Sequence, residues 1–146
     1  METLFQAIDI SGVIQLAVAP VFLLAGISGT LMVMSSRLGR IIDRGRYLKE
    51  LCQSSDIENK DRCLEELKCL KIRAMYTNWA IFLCTSCALL VSLVIVMLFL
   101  SALFNLDVEI LIASLFVVAM LCLITSFILF LREVRLSTSA FRFTAD

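Results

Sequence analysis

Charged residues fall along this chain in clusters, and the blanks between the clusters set its architecture. Residues 10–36, 74–106 and 110–131 carry no charge, which leaves mostly apolar blocks of 27, 33 and 22 residues. Each is long enough for a helix to cross a hydrocarbon core, which takes about 20 residues. The pattern predicts an all-α membrane protein, a single membrane domain over 1–146 with transmembrane helices at about 12–34, 79–104 and 110–131. Between the first two spans, apolar residues recur in steps of three and four at Leu38, Ile41, Gly45, Leu48 and Cys52, and again at Cys63, Leu67, Leu70 and Ala74. Two such stripes are the mark of amphipathic helices. Gln53-Ser54-Ser55-Asp56 reads as the turn between them, with Ser55 and Glu58 spaced as a capping box. A helical hairpin over about 36–75 is expected, its arms of ~16 residues reaching ~24 Å from the membrane at 1.5 Å per residue. A short tail, 132–146, follows the third span.

The first span carries Gln15 near its outer end and Pro20 about two turns in, where a missing backbone donor favours a kink. Ala25, Gly26, Ser28, Gly29 and Thr30 then form a patch of small residues with two small-x-x-x-small spacings. Such patches let helices approach closely in lipid, so this one is a candidate helix contact. It could face the protein's own second or third span, another subunit, or a pore. Tyr76, Asn78 and Trp79 bring the chain into the second span through a cluster suited to the headgroup level. The turn from Asn105 to Glu109 is too short for a domain.

Composition agrees with the pattern: 60% of residues are hydrophobic and the mean hydropathy is +0.95. The net charge of zero conceals an asymmetry. Ten of the thirteen Lys and Arg lie in residues 37–73, and Arg132, Arg135 and Arg142 follow the third span. The N-terminal segment and the 105–109 turn hold none. The positive-inside rule then puts the N-terminus outside and both the hairpin and the C-terminus in the cytoplasm, with Glu2, Asp9, Asp107 and Glu109 on the far side. The acidic start and the long apolar run from Gly12 to Met34 argue against a secretory signal peptide, so the first span is expected to be retained. No lipidation pattern is evident, Met1 being followed by Glu.

Candidate chemistry is sparse. The chain has no His, and no ionisable group other than Cys lies in the three blocks, so neither an intramembrane enzyme nor an ion-coupled carrier is expected. No cofactor, metal site or nucleic-acid surface is expected either. Cys52, Cys63 and Cys69 belong to the hairpin and are expected to stay as thiols in a reducing cytoplasm. Cys84 and Cys87 have the C-x-x-C spacing of redox sites, but in an apolar helix they read as small packing residues. The densest polar signal lies directly below the first span: Arg37, Arg40, Asp43, Arg44 and Arg46. Arg37, Arg40 and Arg44 share a helix face, and Asp43 is spaced to pair with Arg40 or Arg46. The cluster could be a solvated flank, a clamp of Arg37 or Arg40 onto Glu133 beside Arg132, or a site for anionic headgroups.

Three segments resemble the bacterial membrane proteins of the domain of unknown function 2721 family. They are Ile14-Gln15-Leu16-Ala17-Val18-Ala19-Pro20-Val21-Phe22-Leu23-Leu24-Ala25-Gly26-Ile27, Arg37-Leu38-Gly39-Arg40-Ile41-Ile42-Asp43-Arg44-Gly45-Arg46 and Phe130-Leu131-Arg132-Glu133-Val134-Arg135-Leu136. The resemblance covers nearly the whole chain and implies a small multi-span protein of the bacterial inner membrane, without bringing an activity or a cofactor. Gly39 and Gly45 stand where Ala is expected in such sequences, which lowers helix propensity in the first arm. Two function classes remain. In one, copies assemble into a ring in which Gln15, Ser28, Thr30 and Ser35 line a passage for ions or small solutes, with Arg37 and Arg40 at its inner mouth and Asp107 or Glu109 at its outer one. In the other, the helices anchor and self-associate while the basic hairpin, net +3, meets a cytoplasmic protein partner or anionic lipid.

Overall fold

The computed structural model describes the backbone of residues 2–54, 57–104 and 107–142, and side chains at Gly12, 14–53, 63–104 and 107–135. It is all helix, with α1 (Glu2–Ser54), α2 (Ile57–Phe104) and α3 (Glu109–Arg142) and no strand among the described residues. All three helices are long and apolar enough to cross a membrane. The expected turn and capping box at Ser55 and Asp56, and the turn residues Asn105 and Leu106, lie outside the described residues, as do the side chains of Glu2, Asp9 and Arg142.

The helices run well past the apolar blocks because nothing in the sequence stops them. α1 has 53 residues and continues through Pro20, the only proline, and through Gly39 and Gly45. The uncharged block and the apolar stripe that follows it give α1 positions to bury from Ala17 to Cys52, and that burial outweighs the ~1 kcal/mol each glycine costs relative to alanine. α3 opens with the Ile112 amide donating to the Val108 carbonyl at 3.0 Å, and Glu109 sits in its first turn, where a carboxylate complements the helix dipole.

Buried positions recur every seven residues. In α1, Ile27, Met34, Ile41 and Leu48 are all buried, and so are Thr77, Cys84 and Val91 in α2. A second series on α2 is Ala80, Cys87 and Val94. Sevenfold spacing keeps one seam of a helix turned toward its neighbour, and small residues in a seam let backbones approach.

The chain divides into two compact units, each drawing on all three helices: Met1–Leu31 with Leu83–Ile124, and Met32–Phe82 with Thr125–Asp146. The first has a core of Ile27, Cys84, Cys87, Val91, Ala119 and Leu123, against which Leu23, Leu24 and Leu31 pack. Cys84 and Cys87 have no exposed surface, so both fill the seam as the sequence suggests. Its outer surface is apolar: Phe22 and Ile110 are 74% and 88% exposed. Large apolar side chains presented this way are suited to lipid tails.

The second unit joins the two stripes found in the sequence. Ile41 and Leu48 of α1 meet Leu70 of α2, flanked by Cys63, Leu67 and Ala74. Farther along α2 and α3, the buried Ser126 hydroxyl donates to the Ala80 carbonyl at 2.7 Å, which ties α3 to α2 where only small residues intervene. Trp79 is exposed and meets Phe82 edge-on, with centroids 5.8 Å apart.

Candidate functional site

Among the described residues the second unit holds one buried carboxylate, Glu133, which is 1% exposed. It lies just past the apolar block of α3, after Arg132, and seven residues from the buried Ser126. An ionised group so placed needs partners, because unpaired burial of a charge is prohibitive. Arg73 of α2 supplies most of the compensation: its Nη2 and Nε donate to Oε1 at 2.9 and 3.3 Å. Arg37 of α1 donates from Nη1 to Oε2 at 3.5 Å. Phe130, one turn before Glu133 on α3, holds Arg37 through its ring face, 5.3 Å from the guanidinium carbon. Below Arg73, the buried Thr77 hydroxyl donates back to the Arg73 carbonyl at 3.1 Å. One carboxylate thus ties all three helices of this unit through two guanidiniums, leaving a local excess of one positive charge.

The expectation of a clamp is therefore met at Arg37 and corrected at Arg40. Arg40 is exposed and has no ion pair among the described residues; Arg73 takes its place. The reason is rotation, since Arg40 lies three residues, close to one turn, beyond Arg37 and is carried past the α3 carboxylate. Arg73 was counted in the basic segment but not recognised as a partner. Its signal was the spacing: Arg73 precedes Ala80, Cys87 and Val94 at sevenfold intervals, so it occupies a buried seam. Asp43, Arg44 and Arg46 are also exposed, and the pairing expected for Asp43 is absent among the described residues. Arg132 is exposed as well, about 100° around α3 from Glu133.

The small-residue patch of α1 belongs to the first unit and turns outward. Ala25, Gly26, Ser28 and Gly29 are exposed and Thr30 is half-buried, whereas the adjacent Ile27 is in the core. A Cβ placed on Gly26 or Gly29 would meet nothing within 4 Å. Gly26 and Gly29 therefore do not pack against the protein's own second or third span. The Ser28 and Thr30 hydroxyls donate to the Ala25 and Gly26 carbonyls at 2.8 and 3.1 Å, so neither demands an outside partner. Gln15 is exposed and Pro20 half-buried. At 100° per residue, Ser28 falls roughly opposite Gln15 and Thr30, so the three do not line one face. Asp107 and Glu109 are exposed.

A second correction concerns the cysteines. Cys52 and Cys63, expected as separate thiols, form a disulfide with Cα atoms 5.9 Å apart, because the two apolar stripes face each other and each carries one of the pair. Cys69, Cys84, Cys87 and Cys122 are in no disulfide. Among the described residues, no group of three or more His, Cys, Asp or Glu is placed to hold a metal.

Residues 17–143 match the family described as Protein of unknown function (DUF2721). The chain belongs to this family. No curated protein and no solved structure matches it. Family membership and three apolar helices together make it a membrane protein of a family without an assigned activity.

Proposed function

We propose that the chain is a non-enzymatic, self-associating protein of the bacterial inner membrane that carries a basic helical projection on its cytoplasmic side. The observation behind this reading is the outward small-residue face of α1. Ala25, Gly26 and Gly29 leave a shallow, unpartnered surface on a helix whose opposite side already packs its own core. Apolar burial drives little association where lipid tails are equally apolar, so close backbone approach at small residues is the available force, and a second copy presents the same surface. The orientation rests on the count of thirteen Lys and Arg on one side against none on the other. The exposed Arg40, Arg44 and Arg46 suit anionic headgroups or an acidic protein surface. Glu133 is not free for chemistry, since two guanidiniums occupy both of its oxygens.

Between a ring with a passage and an anchoring assembly, the geometry favours the anchor. A polar path on α1 would rest on Gln15 with Thr30 or on Ser28 with Ser35, and the Ser28 and Thr30 hydroxyls are already committed to the Ala25 and Gly26 carbonyls. The mass of the full chain in lipid nanodiscs tests the proposal. More than one copy per particle is expected, and Gly29→Leu, at a position where an added Cβ meets nothing within 4 Å, should yield monomer with unchanged helix content. A monomeric wild type overturns self-association, and ion flux through liposomes containing the assembled protein would restore the channel in place of the anchor.

A further inference from the structure

Cys52 closes the α1 stripe and Cys63 opens the α2 stripe, with Cα atoms 5.9 Å apart, inside the range a disulfide spans. What brings them together is not the sulfur bond alone. Ile41, Leu48 and Leu70 bury against one another beside Cys63, so the arms meet through apolar contact whether or not the bond exists. The reduced form is also provided for, because the Leu48 carbonyl oxygen lies 3.4 Å from the Cys63 sulfur and can accept its S–H. Cys52 is 8% exposed and Cys63 half-buried, so an incoming reagent reaches Cys63 first. A disulfide in a reducing compartment is seldom a permanent staple; it is transient or sensing.

We propose that Cys52 and Cys63 form a reversible thiol–disulfide site that exchanges two electrons with low-molecular-weight disulfides of the cytoplasm and, when oxidised, ties the two arms covalently. This rests on the reading that the arms are cytoplasmic. In the oxidising direction the Cys63 thiolate attacks one sulfur of a small disulfide such as glutathione disulfide, whose S–S bond breaks and releases one thiolate. The Cys52 thiolate then attacks the Cys63 sulfur of the mixed disulfide and expels the second small thiolate. The two cysteine protons end on the two released thiols, and two electrons have passed from the protein to the small disulfide. Reduction is the reverse, with entry at the more accessible Cys63.

The test uses the full chain in nanodiscs, equilibrated with glutathione and glutathione disulfide in varied ratio, quenched in acid, denatured and alkylated with a maleimide large enough to count thiols on a gel. With six cysteines, the expected count is six in glutathione-rich buffer and four in disulfide-rich buffer, reversibly and without denaturant during equilibration. Cys52→Ser and Cys63→Ser should each give five thiols in glutathione-rich buffer, and in disulfide-rich buffer Cys52→Ser should stall with one glutathione held on Cys63, a mass gain the wild-type pair does not show. A count fixed at six, or fixed at four, overturns the proposal. Labelling of the exposed Cys69 with an impermeant maleimide in sealed vesicles of each orientation separates the two levels. Labelling from the external side overturns the proposal together with the orientation it rests on. An invariant thiol count with Cys69 labelled only from the cytoplasmic side overturns the proposal alone.

Discussion

Removing the charge of Glu133 should be the most damaging conservative change in the protein. Glu133→Gln keeps the shape of the side chain but leaves Arg73 and Arg37 facing a neutral amide in a site where the carboxylate is 1% exposed. Breaking a buried ion pair by removing one partner costs about 3–5 kcal/mol, and the tighter Arg73 contacts put most of that on one arm of the triad. Arg73 keeps 21% of its side chain exposed and donates at 2.9 Å, so its coupling to Glu133 should be about 2–3 kcal/mol, as for hydrogen bonds to charged groups. Arg37 is 39% exposed and donates at 3.5 Å, so its coupling should be at most about 1 kcal/mol. The assay is a double-mutant cycle of Glu133→Gln with Arg73→Met and with Arg37→Met, by SDS-driven unfolding in mixed micelles. Helix circular dichroism and the fluorescence of Trp79, the single tryptophan, serve as readouts. Losses that add within about 0.5 kcal/mol for the Arg73 pair, or a larger coupling at Arg37 than at Arg73, would refute the reasoning.

Three smaller changes probe the same packing. Ser126→Ala removes the hydrogen bond to the Ala80 carbonyl and should cost about 1 kcal/mol in the same unfolding assay. Gly39→Ala should stabilise by about 0.5–1 kcal/mol, since Gly39 is inside α1 and an added Cβ meets nothing within 4 Å; a loss would show that the position approaches something in the assembled membrane. Cys84→Leu overfills a position with no exposed surface and should cost about 1–3 kcal/mol, whereas Cys69→Leu on the exposed face should stay within about 0.5 kcal/mol.

Much of the helical plan was legible because it depends on local facts. Uncharged blocks longer than a bilayer and stripes at steps of three and four require no knowledge of what touches what, and Ile41, Leu48 and Leu70 are buried together as the stripes imply. What escaped was whatever depends on helix rotation and register. The sequence locates Ala25 to Thr30 as a small-residue patch, but which way it points is decided by how α1 turns to bury Ile27. Arg73 could be matched to Glu133 only by knowing the register of α2 against α3, which the Ser126–Ala80 contact seven residues from each of them shows and spacing along one helix does not. Spacing puts Cys52 and Cys63 each on an apolar stripe, but that the two stripes face each other and bring the pair together depends on how the arms pack.

Cysteine cross-linking in native membranes tests the central claim, that copies meet through the small-residue face of α1, more directly than any other measurement. In a Cys69→Ser background, Ala25→Cys and Gly29→Cys should each give a dimer with a short bifunctional maleimide. Val117→Cys, 56% exposed on α3, should not. Monomer at both α1 positions, or equal cross-linking at all three, would contradict the account.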